Sequence, residues 1–234
     1  MVPESGVIKD WLTALRKVWL SPRQSKTLYS QFGEDAVLLH LVGGRKAPQG
    51  FYVDVGCHHP RKGSNTYLLY KMGWRGILID LERPKILACR LLRPGDTCVL
   101  AAVSDVEEEV RVFAPEAFSV LATIDPSAAG KGREVGRIQT RTLTHILDDS
   151  TYRGRPIDVL NVDVEGVDLQ VLRSLDFARY QPKWIVVESW ESDLARILEG
   201  DIHRFLSGQG YAVAAWVGLS LIYRAPAASS LVNG

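Results

Sequence analysis

A chain of 234 residues has room for one ordinary α/β domain with a real core, and too little for two. Hydrophobic residues make up 46% of it, which excludes a disordered chain, and a formal net charge of +1 gives no electrostatic ground for a nucleic-acid partner. No apolar run approaches the roughly 18 residues that span a bilayer, and "MVPESGVIKDWLTALRKVWL" lacks the apolar core and cleavage site of a signal peptide, so a cytoplasmic location is expected. The three cysteines, Cys57, Cys89 and Cys98, form no CxxC pair. Neither a disulfide framework nor a zinc knuckle is indicated, and reduced thiols are expected.

Residues 7–20 place Ile8, Trp11, Leu12, Leu15, Val18 and Trp19 at helical spacing, with Lys9, Arg16 and Lys17 elsewhere. Three readings stay open for this helix: packing on its own domain, a homodimer contact, or a membrane-surface helix. "SPRQS" breaks the pattern, so residues 1–27 are set apart as an N-terminal helical segment. "SQFGEDAVLLHLV" predicts a loop at Gly33 and then a helix led by Glu34 and Asp35, acids that complement its dipole.

From here strands and helices alternate. "FYVDV" is a short apolar strand, "SNTYLLYKMG" a helix ended by Gly73, and "GILID" the next strand. "RPKILACRLL" reads as a helix and "TCVLAAV" as a third strand. Within 110–142, "VRVFA", "FSVLATI" and "RIQTRT" read as β pieces around a glycine-rich turn at 130–136. "LTHILDD" is a short helix, "IDVLNVDVEG" a strand, "VDLQVLRSL" a helix and "KWIVVES" a fifth strand. A helix over 191–207 follows, then "GYAVAAWV" and "LSLIYRA" as a closing antiparallel pair. This pattern predicts a doubly wound, mostly parallel α/β sheet over 28–225, with 226–234 as a loose tail. Ligands of such sheets bind beyond the carboxyl ends of the strands, at the switch in strand order.

The loop after the first strand is therefore the place to look. Asp54 and Gly56 follow that strand, and glycine lets a backbone come close to a ligand. A dinucleotide loop wants G-x-G-x-x-G, but the run here is "GCHHPRKG", without the second and third glycines. That loop is poorly built for a pyrophosphate and leaves a nucleoside without phosphates open. Asp80 closes the second strand, where a carboxylate can accept two hydrogen bonds from a ribose diol. Together Asp54, Gly56 and Asp80 point to S-adenosylmethionine, whose ammonium suits acids that would repel a phosphate.

A second acidic cluster stands in "IDVLNVDVEG". If it is extended throughout, Asn161, Asp163 and Glu165 share a face. Carboxylates at the exposed end of a central strand can hold a divalent metal, accept a hydroxyl proton, or order the cofactor loop. They can also simply lead the next helix. Glu188 ends the following strand, so Mg²⁺ or Mn²⁺ bridged by Asp163 and Glu188 is one reading. His40, His145 and His203 fall in predicted helices and read as structural, whereas His58 and His59 lie in the cofactor loop. An imidazole there can act as a general base, and His59 is preferred to His58 for that role.

"SQFGEDAVLLHL", "GFYVDVGCHHPRKGSNTYLLYKMGWRGILID", "AAVSD" and "IDVLNVDVEGVDLQVLRSLDFARYQPKWIVVES" together resemble the FkbM family of S-adenosylmethionine-dependent methyltransferases, over roughly residues 28–223. The resemblance implies a class I methyltransferase (Rossmann-like) fold and O-methylation, often of sugar or polyketide hydroxyls. It further implies that Asp54 and Gly56 line the methionine end, that Asp80 holds the ribose, and that Asp163 also borders the cofactor. On the same ground Ser104 and Asp105 lie near the adenine, and Ser30 and Gln31 help to close the site. The "CHHP" run departs from many relatives, which carry Asn or a further glycine there. The leading expectation is methyl transfer to a hydroxyl of a small molecule or glycan, with Asp163, Glu165 or His59 assisting proton removal. A nicotinamide-dependent sugar oxidoreductase and a non-catalytic nucleoside-binding domain are the competing classes.

Overall fold

The computed structural model describes residues 5–19, 27–46, 48–116, 119, 122–127, 130 and 132–226. After α1 (Ser5–Trp19) and α2 (Glu34–Leu41), the chain forms β1 (Phe51–Val55), α3 (Tyr67–Lys71), β2 (Arg75–Asp80), α4 (Arg83–Leu92) and β3 (Thr97–Leu100). A small side sheet comes next, built from β4 (Ala102–Val103), β5 (Glu109–Ala114) and β6 (Arg133–Arg141). Alternation then resumes with α5 (Leu143–Asp148), β7 (Val159–Val162), α6 (Asp168–Arg173) and β8 (Trp184–Glu188). The last elements are α7 (Leu194–Glu199), α8 (Asp201–Gly208), β9 (Ala212–Val217) and β10 (Ser220–Arg224).

Among the described residues the main sheet has seven strands in the order β3-β2-β1-β7-β8-β10-β9. Its pairs are parallel from β3 through β8, and β10 and β9 are antiparallel. The doubly wound, mostly parallel sheet expected from the sequence is what the chain forms. Order runs one way from β1 to β3 and the other way from β7, so the switch point falls between β1 and β7.

Strand alternation divides the core into two layers. Phe51, Val53, Val55, Ile77, Ile79, Leu160, Val162, Ile185 and Val187 face one cluster with Leu143, Val171, Leu172 and Leu206. Tyr52, Leu78, Val159 and Val186 face the other, with Leu38, Leu69, Ile86 and Cys89. Strands buried on both faces are why these segments read as unbroken apolar runs.

Several boundaries differ from the expectation. The strand foreseen in "IDVLNVDVEG" stops at Val162, and Glu165 adopts a left-handed φ of 53°, so alternation along a strand does not align Asp163 with Glu165. The single helix foreseen over 191–207 is two helices. Gly200 is extended (ψ 156°) between them, and Asp193 caps the first by accepting from the Ala195 N–H. "TCVLAAV" divides between the main sheet and the side sheet. The turn foreseen at 130–136 is largely β6, and "FSVLATI" shows one bridge, Thr123 to Phe113. Residues 118, 120 and 121 of that piece, like 117, 20–26 and 227–234, lie outside the described residues.

In α1 the side chains of Trp11, Leu12 and Leu15 are exposed, while those of Ile8, Val18 and Trp19 lie outside the described ones. No described helix is long and apolar enough to cross a membrane.

The floor of the switch point is held by a buried cation. Arg93, just past α4, is fully buried. Its Nε donates to Asp96 at 2.8 Å, Nη2 donates to the Tyr52 hydroxyl at 2.7 Å, and both Nη atoms reach Thr66 Oγ1 at 3.1 Å. Thr66 Oγ1 then donates to Asp54, and Asn161 Nδ2 donates to the other Asp54 oxygen at 2.9 Å. Asp96 also accepts from Tyr52 and from the Gly76 N–H. Arg93→Met should destabilise the protein by about 3–5 kcal/mol, because it leaves Asp96 buried without its cation. Urea unfolding followed by circular dichroism measures this, and a loss under about 1 kcal/mol would contradict it.

Candidate active site

The carboxyl ends of β1, β2, β7 and β8 surround a cavity of about 250 Å³. Gly56 makes the closure possible. Its φ is +80°, and a Cβ there would lie 1.7 Å from the Asp163 carbonyl oxygen, so any side chain would push β1 away from β7. The following loop closes on itself. The Gly56 and Cys57 N–H groups both donate to the Ile79 carbonyl, at 2.9 and 3.1 Å, and the His58 N–H donates to Asp80 Oδ2 at 3.0 Å. Donors that would cradle a phosphate are thus already used.

Asp80 lies in the cavity wall, 5% exposed. One oxygen accepts from His58 and the other from the Glu82 N–H at 2.9 Å, with Lys85 Nζ 3.8 Å away. A carboxylate oxygen has two lone pairs, so each retains a site for a hydroxyl donor. Burial raises the Asp80 carboxyl, and Lys85 and the two N–H groups oppose that rise. The Ala101 N–H donates to the Asp80 carbonyl at 3.1 Å, and Leu81, Ala101 and Val103 give an apolar wall beside it. A ribose diol and a flat base fit this end, and a pyrophosphate does not. The residues therefore fit S-adenosylmethionine.

A different charge state holds at the other wall. One carboxylate oxygen from each of Asp163, Glu165 and Glu188 lies within 4.8 Å of the others. Burial, then the charges of Glu188, Asp168 and Glu165, pushes Asp163 well above the usual carboxylate range. Glu165 is pushed up to about 7 by burial and then by Glu188 and Asp168, and Lys85 opposes the shift weakly. Burial raises Glu188 as well, while Asp163 and Trp190 beside it oppose the rise. Both carboxyls are held above the usual range, and the cluster titrates as a unit.

The sequence-designated residues separate into two groups. Gln31, Asp54, Gly56, Asp80, Asp163, Glu165 and Glu188 line the cavity. Asp54, though at its floor, has both oxygens engaged by Thr66 and Asn161. Ser30, His59, Ser104 and Asp105 are not among the lining residues. Ser30 caps the start of α2, where its hydroxyl donates to Asp35 and accepts from Gly33 and Asp35 N–H. His59 Nδ1 accepts from the backbone N–H groups of Arg61 and Lys62, at 3.0 and 2.9 Å, which orders the loop. Ser104 and Asp105 contact each other one residue beyond the lining Val103. His58 lines the cavity, has a left-handed φ of 41°, and is lowered to about 4 by burial and then Lys85, so it is neutral near pH 7. Cys57 packs with its Sγ 3.8 Å from Cys89 Sγ. That contact and burial raise its thiol, so it behaves as an inert apolar group.

Sequence reasoning passed over Asn65, Lys85 and Trp190, which also line the cavity. Only Trp190, directly after the acid-ended strand "IVVES", had a positional signal to find it by.

A model of the FkbM methyltransferase domain matches residues 54–213. No curated protein matches the chain. Similar solved structures include a TehB-like S-adenosylmethionine-dependent methyltransferase from Corynebacterium glutamicum (11% identity, 94% of this chain and 98% of that one, TM-score 0.43). Another is the 1,6-didemethyltoxoflavin-N1-methyltransferase of Burkholderia thailandensis, solved with 1,6-didemethyltoxoflavin and S-adenosylhomocysteine (12% identity, 95% and 88%, TM-score 0.45). A third is an O-methyltransferase from Bacillus cereus in complex with S-adenosylhomocysteine (12% identity, 95% and 91%, TM-score 0.38).

The raised carboxyl of Glu165 makes stability depend on pH. Its ordinary value is 4.5 and its folded value about 7. Between these the folded chain holds a proton that the unfolded chain has released, so stability falls as pH rises through that window. The melting temperature should be lower at pH 8 than at pH 5. Glu165→Gln should flatten that difference without removing it, since Asp163 and Glu188 shift in the same direction. An unchanged slope in Glu165→Gln, read by calorimetric scans at the two pH values, would show that Glu165 titrates normally.

Proposed function

Since the chain belongs to the FkbM methyltransferase family, we propose that it moves the methyl group of S-adenosylmethionine to a hydroxyl of a sugar, glycan or glycosylated small molecule. The observation that carries this reading is the Asp163–Glu165–Glu188 carboxyl cluster, which shares one cavity with the ribose-type site at Asp80. Bound S-adenosylmethionine supplies an electrophilic methyl group on a sulfonium centre. The chain must hold the acceptor oxygen in line with it and take up the hydroxyl proton.

Asp80 would accept from the ribose hydroxyls, and Gly56 and the β1 end would leave room for the methionine portion. The ionised oxygens of the cluster would accept the acceptor's hydrogen bond and then its proton as the new C–O bond forms. A group near pKa 7 suits that task near neutral pH, because it is ionised often enough to accept and basic enough to pull. The same three oxygens also suit a hard divalent cation such as Mg²⁺ or Mn²⁺. Loop chemistry weighs against a nicotinamide enzyme, because the Gly56, Cys57 and His58 N–H groups are committed to Ile79 and Asp80.

Two measurements test this. Asp80→Ala removes charge-assisted bonds worth about 1.5–3 kcal/mol, so S-adenosylhomocysteine affinity should fall about 10- to 100-fold by calorimetry. Unchanged affinity would put the ribose elsewhere. Asp163→Asn keeps size and removes the shared proton site, so turnover should drop about 100-fold while cofactor affinity changes little. Chelation by EDTA then divides the two versions of the site. Activity lost and restored by Mg²⁺ or Mn²⁺ means a cation at the cluster, and indifference means direct proton transfer. Near-normal turnover of Asp163→Asn sinks both.

A further inference from the structure

We infer that Trp190 is the platform on which a pyranose ring of the acceptor lies, an assignment that rests on the methyl-transfer reading above. Trp190 forms part of the cavity wall yet is 66% exposed. Large aromatic side chains are mostly buried, and one left open at a pocket needs a reason. It stands in the stretch between β8 and α7, two residues past Glu188, and shares the cavity wall with that carboxylate. That placement sets the indole in the same wall as the acid cluster, so a ligand resting on it is brought to the groups proposed to take the proton.

The cluster decides which ligand suits the platform. Three crowded carboxyl groups present more oxygen acceptors than they have protons to donate. A ring between the indole and Asp163, Glu165 and Glu188 must therefore be apolar on its face and rich in donors at its rim. A pyranose has this form: C–H groups on the face and hydroxyls around the edge. A simple phenol stacks equally well but brings one donor to three acid groups. The remaining carboxylates would then be desolvated against C–H edges, which is costly.

The apolar rim also continues outward. The Ser189 N–H donates to the Leu219 carbonyl at 2.7 Å, which ties the β9–β10 turn to the residue before Trp190. At that turn Trp216 Nε1 donates to the Gly218 carbonyl at 3.0 Å, and the Phe32 ring fills the space that a Gly218 Cβ would need. Phe32 and Trp216 are both exposed. This leaves a surface beside the cavity for the part of a glycoside that is not methylated.

Saturation-transfer NMR on the full chain, loaded with S-adenosylhomocysteine, tests the assignment. The probes are the methyl glycosides of glucose, galactose, mannose, rhamnose and fucose, with phenol and catechol as controls. At least one glycoside should receive saturation at its ring C–H protons. Trp190→Ala should raise its dissociation constant about 10-fold, the scale of a lost aromatic contact, and Trp190→Phe should recover most of the loss. S-adenosylhomocysteine affinity should be equal in all three proteins, which shows that the fold is intact. Glycoside binding that survives in Trp190→Ala overturns the inference, as does binding by the phenols alone or by no probe. Failure of the unmodified chain to bind S-adenosylhomocysteine is a different result, and it overturns the methyl-transfer reading beneath.

Discussion

One buried guanidinium sets the geometry of the switch point. Arg93 has no access to water, so every one of its contacts must replace a solvation shell. It does so with Asp96, the Tyr52 hydroxyl and Thr66, and through Thr66 it reaches Asp54. The planar fork of arginine suits this arrangement, since several donors leave one group at fixed angles. Lysine could supply the charge but not the directions. Asp54 in turn joins β1 to β7, because Asn161 Nδ2 donates to it across the paired register Asp54↔Asn161. Asn65 Nδ2 then donates to Asn161 Oδ1 at 2.9 Å. A single polar chain thus runs from the end of α4 to the loop before α3 and under the cavity. Its members are fixed by one another, which is what a site floor requires.

The same fold treats its other acids in the opposite way. Burial raises Asp54, but Arg93, Thr66 and Asn161 all favour its charged form. Asp80 has Lys85 and two backbone donors. Asp163, Glu165 and Glu188 have mainly one another. Lys85 is drawn away to Glu82 at 2.7 Å. Carboxyls crowded without a close cation respond by keeping a proton, which is how Glu165 comes near 7. Acids that hold the fold and acids that line the cavity therefore differ here by their partners and not by their type, and the second set is the one proposed above to take up the proton.

Much of this was legible in the chain. Unbroken runs such as "FYVDV" and "GILID" announced strands buried on both faces, and Asp54, Gly56 and Asp80 could be placed at strand ends from those runs alone. The convergence of Asp163 with Glu188 followed from two adjacent strands ending in acids. What strand logic could not reach was the loop. Glu165 arrives beside them through a left-handed turn before Gly166, not by alternation, so the expected shared face was right in company and wrong in cause. Arg93 was hidden for a similar reason. Its partners Tyr52, Thr66 and Asp96 lie far apart in the chain, and an arginine at a helix end usually means a solvated one. Ser30 was drawn to the site by the resemblance and His59 by its imidazole, and both side chains accept from backbone N–H groups instead.

The histidine-bearing loop now has a physical account. A loop at this position can hold a ligand through its own N–H groups or through a side chain that those groups orient. Here the N–H groups of Gly56 and Cys57 bind back to Ile79, and that of His58 orients Asp80. That leaves the Asp80 carboxylate as the group on this wall that could accept a hydroxyl, and its charge would repel a phosphate. His58 takes the left-handed turn that a second glycine would otherwise take, and burial beside Lys85 keeps its imidazole neutral. A neutral side chain at this point adds no charge to compete with a sulfonium. A base with pKa near 4 also has little pull on a hydroxyl proton. That deficit is why the proposed reading assigns proton uptake to the other side of the cavity, at the ends of β7 and β8, where the carboxyl cluster stands.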